Sequence, residues 1–235
     1  MDVIPVIDVA HGAVVRAVRG ERGNYRPLVT PLSATPDPVA VAKGLRGLFP
    51  FRRLYVADLD GIEGRGRNVH LVPALSRELG GVDIWIDAGT GSRGAARAVL
   101  AAPVATLIVG SESLENTTSI RDILNENPSR TVLSLDFRGA EFMGPPSLLR
   151  DPSLWPNRII VMTLAHVGSD EGPDLALIRD IAQRAEGRKI YAAGGIRNRA
   201  DLEAVRTAGA VGALIATALH AQKISADDLK EITGR

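Results

Sequence analysis

The sequence predicts a single α/β domain of the (β/α)8 barrel class, and three observations predict it. Eight short apolar runs recur along the 235 residues. Most are followed by segments with helical spacing, and the second half of the chain repeats the order of the first. The runs cover residues 3–7, 54–57, 82–86, 104–109, 131–135, 159–162, 189–192 and 211–215. They are continuously apolar rather than alternating, as expected of parallel strands covered on both sides. Helical spacing follows at 38–48, 69–79, 94–100, 116–124, 174–185 and 200–208, with Thr35-Pro36, Ser92, Asn198 and Ser225 where caps or first-turn residues belong. Between Gly144-Pro145-Pro146 and Trp155-Pro156 there is room for at most a short fifth helix, so that connection is expected to be irregular. No linker, low-complexity tract or charge block divides the chain. One (TIM) barrel over 1–235 is therefore favoured over an open doubly wound sheet.

The internal repeat adds a prediction about position. Val3-Ile4-Pro5-Val6-Ile7-Asp8 compares with Thr131-Val132-Leu133-Ser134-Leu135-Asp136, Leu54 to Leu59 with Ile159 to Leu164, and Ile86-Asp87-Ala88-Gly89 with Tyr191-Ala192-Ala193-Gly194. The order suits two duplicated half-barrels, approximately 1–128 and 129–235, with Asp8 and Asp136 at equivalent strand ends.

Composition excludes several classes. Hydrophobic residues make up 45%, charged residues 23% and the formal net charge is +1, which points away from disorder, nucleic-acid binding and membrane spanning. The opening apolar run is too short for a signal peptide, and the chain has no cysteine, so a cytoplasmic location without disulfides is expected. His11, His70, His166 and His220 show no ligand spacing, so no metal is expected.

In this architecture residues at the C-terminal ends of strands ring the catalytic face. Asp8, Asp58, Asp60, Asp87, Asp136 and Thr163 are placed there by sequence. Partial burial can hold one carboxyl of such a set protonated while another is ionised, which makes Asp8 and Asp136 an acid–base pair. Glycine-rich turns supply the second feature. Gly194-Gly195 follows the seventh run and Ala216-Thr217 the eighth, a frequent phosphate site in barrels. The half-barrel counterpart is Gly89 with Gly110-Ser111, so two phosphate sites are conceivable. Arg16, Arg19, Arg22 and Arg26 crowd the first long loop with Tyr25 and could clamp an anion, and His166 could line the mouth. Trp85 and Trp155 read as packing residues.

Ile4-Pro5-Val6-Ile7-Asp8-Val9 with Gly12 and Val14-Val15-Arg16, then Asp58-Leu59-Asp60-Gly61, Ser134-Leu135-Asp136 and Ala193-Gly194-Gly195, resemble the HisA/HisF family of histidine-biosynthesis barrels, in order over almost the whole chain. Length and the stretch from Val15 to Gly20 are closer to the isomerase branch. That resemblance implies conversion of ProFAR, a bisphosphorylated aminoaldose, to its aminoketose by an Amadori rearrangement, with Asp8 as general base, Asp136 as general acid and Thr163 as an assisting hydroxyl. It implies a small phosphorylated substrate and no cofactor, and leaves a protein partner open. Three turns depart from the family pattern. Asp87-Ala88-Gly89-Thr90-Gly91-Ser92 stands where the family has Gly-Gly-Gly-Ile-Arg, Thr163 lacks the following Asp-rich segment, and Ala216-Thr217-Ala218 replaces a Gly-led turn. Two alternatives therefore stand beside the isomerase. One is a divergent member performing a lyase or synthase step, as in methanopterin or methanofuran biosynthesis, and the other a non-catalytic phosphate-binding subunit.

Overall fold

The computed structural model describes residues 1–68, 70–101, 105–114 and 116–234. Val69 and Val104, where the sequence reading starts its second helix and fourth strand, lie outside the described residues, as does Arg235. Eight parallel strands form the wall: β1 (Asp2–Ala10), β2 (Arg53–Asp58), β3 (Asp83–Asp87), β4 (Ala105–Gly110), β5 (Thr131–Arg138), β6 (Arg158–Thr163), β7 (Lys189–Ala193) and β8 (Gly212–Ile215). They pair in chain order, and β8 returns to β1 in the register Asp2↔Gly212 to Pro5↔Ile215. The sheet is a closed (β/α)8 barrel with no free edge.

Each strand is apolar throughout because it feeds two cores. Ile4, Tyr55, Trp85, Ile108, Val132, Ile160, Tyr191 and Leu214 pack inside the barrel. Ile7, Val56, Ile86, Leu107, Leu133, Val161, Ala192 and Ala213 pack outward against the helices. The floor of the barrel is closed by Trp85, which is fully buried, lies edge-on to Tyr191 and donates from Nε1 to Asp83 at 2.9 Å. Arg53 sits over the Trp85 ring and pairs with Asp2. Trp155 is also a packing residue, 4% exposed and donating to the Leu148 carbonyl.

Two strands are longer than the rest, and each is braced by an antiparallel hairpin. β1 pairs with Ala13–Arg16 so that Asp8 opposes Val15, and β5 pairs with Glu141–Met143 so that Asp136 opposes Met143. Both aspartates are thus held within a ladder rather than on a free loop. The connection after this second hairpin carries a five-residue helix, Pro146–Arg150, and a 3-10 turn, Pro152–Leu154, as its prolines require.

Ser92, Asn198 and Ser225 cap helices as expected. The first helix, Pro38–Leu48, has the bounds that its spacing predicts, but Thr35-Pro36 does not cap it. Asp37 caps it by accepting from Ala40 N–H at 2.8 Å, and Pro38 occupies the first turn, where its missing N–H costs nothing. Among the described residues no helix is long and apolar enough to cross a membrane.

Gly44 lies inside that first helix, where alanine by propensity alone would stabilise by about 1 kcal/mol. A Cβ there would stand 1.9 Å from the Leu32 carbonyl oxygen, so the packed loop outweighs propensity. Gly44→Ala is expected to destabilise the fold by about 2 kcal/mol or more, read from the urea midpoint. A stabilised variant would refute the packing argument.

Candidate active site

The C-terminal ends of the strands surround a cavity of about 120 Å³, lined among others by Asp8, Asp87, Asp136, Tyr55, Arg22 and Glu112. Period-two alternation explains which strand-end residues reach it. Ile4 and Val6 face inward on β1, so Asp8 follows them. Trp85 brings Asp87 inward on β3, and Val132 brings Asp136 inward on β5.

The same alternation turns other expected residues away. Asp58 has the parity of Leu54 and Val56 and faces the helices. It caps the turn Leu59–Ile62, accepting from Gly61 N–H at 3.2 Å and Asn68 N–H at 2.8 Å. Asp60 accepts from His11 N–H at 2.8 Å and Asn68 Nδ2, and pairs with Arg65. Both are loop-organising carboxylates outside the cavity lining. Thr163 shares the face of Ile159 and Val161, and Met162 takes its place at the cavity wall. The Thr163 carbonyl instead backs the Gly194 turn. Arg16 is exposed and lines a separate side compartment between Asp8 and His220.

Burial dominates the electrostatics of the inward carboxylates. It pushes Asp8 up to about 7, opposed by the Arg22 charge. Among the described residues the Asp8 carboxylate accepts no hydrogen bond. Burial likewise pushes Asp136 up to about 7, against a 2.6 Å hydrogen bond from Ser134 Oγ, with help from the charge of Asp87. Asp87 rises to about 6, again by burial, opposed chiefly by the Gly89 N–H that it accepts at 3.1 Å. Tyr55 donates to Asp87 at 3.3 Å and is held well above its usual range by burial and by the charges of Asp87, Asp136 and Asp8. The sequence reading passed over Tyr55, a polar tip inside an apolar run.

The first long loop folds over the mouth. Arg22 pairs with Glu112 in the turn after β4, and Arg19 pairs with Glu171 and donates its N–H to the Val167 carbonyl. Gly168 lies against Ala17, where a Cβ would meet the Ala17 carbonyl at 2.7 Å. Arg19 and Arg22 therefore tie loops together, whereas Arg26 is exposed and donates to the Tyr25 carbonyl. Tyr25 lines the cavity beneath them, pushed up to about 12 by its burial and by Asp8. His166 also lines the cavity, with Nδ1 2.6 Å from the Gly172 carbonyl.

The two expected phosphate turns differ. Gly194, Gly195, Ala216 and Thr217 all line the cavity, and Lys223 and Arg197 stand at that side. Gly194 and Gly195 have φ of +97° and +81°, and a Cβ on Gly195 would meet the Gly172 carbonyl at 2.1 Å, so the turn admits only glycine. Gly89, Gly110 and Ser111 do not line the cavity. The carboxylates of Asp136 and Asp87 stand 3.3 and 3.5 Å from where a Gly110 Cβ would be. Among the described residues no group of three His, Asp or Glu side chains is arranged to hold a metal ion.

A family model described as histidine biosynthesis protein matches residues 2–146 and 153–225. An imidazole-4-carboxamide isomerase of Myxococcus xanthus is 29% identical over 96% of both chains. Phosphoribosyl isomerase A of Streptomyces griseus is 29% identical over 97% of this chain and 96% of its own. An uncharacterized protein of Methanocaldococcus jannaschii is 28% identical over 100% of this chain and 99% of its own.

The raised Asp8 carboxyl has a consequence for stability. Its proton is bound more tightly folded than unfolded, where an aspartate titrates near 3.9. The stability so contributed is complete below about pH 4 and is lost as pH rises through about 7. Asp8→Asn removes that loss. The variant is expected to be more stable than the parent at pH 8, by about 1–3 kcal/mol, with the gap closing near pH 4.5 in urea unfolding. A difference independent of pH would contradict the burial argument.

Proposed function

The chain belongs to the histidine biosynthesis protein family, and from that premise we propose that it is an aldose–ketose isomerase acting on a phosphorylated aminosugar, of the ProFAR isomerase type. The observation that carries the reading is the pair Asp8 and Asp136, on different strands but lining one cavity, each buried enough to titrate near neutrality. The names of the relatives from Myxococcus and Streptomyces support it.

The chemistry matches what two such carboxyls can do. Asp136, protonated, donates to the furanose oxygen as the C1–O bond breaks, which leaves a protonated imine. Asp8, ionised, removes the proton from C2 to give the enolamine, and protonation at C1 with loss of the C2 hydroxyl proton to the carboxylate left on Asp136 completes the aminoketose. The steps are proton transfers, so the pair suffices without a metal or redox cofactor. The Gly194-Gly195 and Ala216-Thr217 turns hold a phosphate of the substrate by their backbone N–H groups. Thr163, facing away from the cavity, acts at most through the turn that its carbonyl backs. The half-barrel duplication accounts for the equivalent bracing of Asp8 and Asp136 by hairpins.

A second reading keeps this acid–base pair but gives it a different phosphorylated metabolite. It is favoured by Asp87, buried where a second phosphate would approach.

Isomerisation of ProFAR tests the roles. Turnover is expected to follow a bell centred near pH 7, and Asp8→Asn and Asp136→Asn are each expected to lower kcat by about 1,000-fold. Rates close to the parent's in both variants would remove them from the mechanism. Because the Gly195 turn has no room for a side chain, Gly195→Ala is expected to weaken inorganic phosphate binding about 10-fold or more by calorimetry, with the fold retained. Unchanged phosphate binding would place the anion elsewhere.

A further inference from the structure

Asp8 stands on the partition between two compartments. The cavity at the strand ends and a second cavity of about 130 Å³ share Val6, Asp8, Ala17, Ala216 and Thr217 as lining. The second lies between the Ala13–Arg16 hairpin and the short helix Thr217–His220 that follows β8. Its wall is tied together by two hydrogen bonds. Leu28 N–H donates to the Val14 carbonyl at 2.8 Å, and the Thr30 hydroxyl donates to the His220 carbonyl at 3.2 Å. Arg16, Val29 and Ala221 also line this compartment, and all three are exposed. None of them lines the first cavity, so the side compartment meets solvent away from the substrate mouth.

Its lining is polar around Asp8. Arg16 and Thr217 face the same space, and so does His220, which is 7% exposed and has an Nδ1 atom with no hydrogen-bond partner among the described residues. Burial holds the His220 imidazole below its usual range, opposed by the Val6 backbone beside it, so the ring is neutral where Asp8 titrates. A compartment of this volume has room for several waters, and these side chains give them polar partners.

Asp136 has no second face of this kind. It is 5% exposed, does not line the side compartment, and accepts from Ser134 Oγ and Glu112 N–H. With substrate filling the first cavity, Asp136 faces only substrate and protein. Asp8 then still faces the side compartment.

We propose that the side compartment is a water-filled proton path to Asp8, so that the proton taken from C2 exchanges with solvent before Asp8 returns a proton to C1. This rests on the isomerase reading given above, with Asp8 as its base. The C2–H bond breaks, its electron pair enters the enolamine and its proton passes to the Asp8 carboxylate. The protonated carboxyl gives that proton to a compartment water and takes another in return. The enolamine pair then forms the C1–H bond with the second proton, and Asp8 ends ionised, as it began. Exchange is thus a side branch, and turnover does not require it.

ProFAR carrying deuterium at C2 of the aminoaldose tests the path, by mass spectrometry of the product formed in ordinary water. The parent protein is expected to leave about 10% or less of the deuterium at C1 of the aminoketose. Val29→Trp and Ala221→Phe add bulk at the exposed rim, outside the substrate cavity. Each is expected to raise the retained label about fivefold while kcat stays within about threefold of the parent's, which a merely structural role for the rim would not produce. A rise in either variant supports the path. Full retention of deuterium by the parent overturns the exchange. Washout that is unchanged in both variants puts the exchange at the substrate mouth and overturns the path. If the parent does not convert ProFAR at all, the isomerase reading fails first, and this inference fails with it.

Discussion

Pairing of the first strand with the last, Asp2–Pro5 against Gly212–Ile215, is the constraint on which the rest of the structure depends. It satisfies the backbone groups that an open sheet would leave at two edges, and it forces every strand end into one ring. Without closure, β1 and β5 would lie apart in a flat sheet. With it, their inward carboxylates face each other's cavity. Closure also seals the floor, where Trp85, Tyr191, Arg53 and Asp83 fill the space that solvent would otherwise enter. The barrel thus has one sealed end and one open end, and the inward carboxylates stand at the open one.

That place is unfavourable for charge, and its usefulness follows from this. Asp58 and Asp60 satisfy their oxygens with backbone and Asn68 donors and so organise a loop. Among the described residues Asp8 has no such donor, and Asp136 and Asp87 have only some of what an ionised carboxylate can accept. Their protons are consequently held to nearly neutral pH. The same absence of partners that weakens the fold at alkaline pH leaves these groups able to exchange protons with a bound molecule. The loop over the mouth, tied by Arg22 to Glu112 and by Arg19 to Glu171, maintains that desolvation.

Much of the architecture was legible in the chain. All eight strands appear within a few residues of the apolar runs, and Ser92, Asn198 and Ser225 cap as their side chains suggest. Asp8 and Asp136 were found because the repeat aligned them, and both line the cavity. The errors share a cause. A strand that is apolar on both faces has no visible phase, so Asp58, Thr163 and Tyr55 could not be assigned inward or outward from the pattern alone. One residue of offset separates Thr163 from Met162 and Asp58 from Ala57, and each time the outward neighbour carried the chemically suggestive side chain.

The sequence by itself determined the barrel, the places of Asp8 and Asp136 near strand ends and the glycine turn after β7, because apolar runs, helix caps and Gly-Gly are local signals that act wherever the chain goes. Only the tertiary structure decided which acids lack partners and which donors remain open. Whether Glu112 N–H meets a ligand or Asp136 depends on the turn after β4 meeting a strand residue 24 positions further along the chain. Hydrogen bonds at that separation are set by strand register and closure, which no short stretch of sequence encodes.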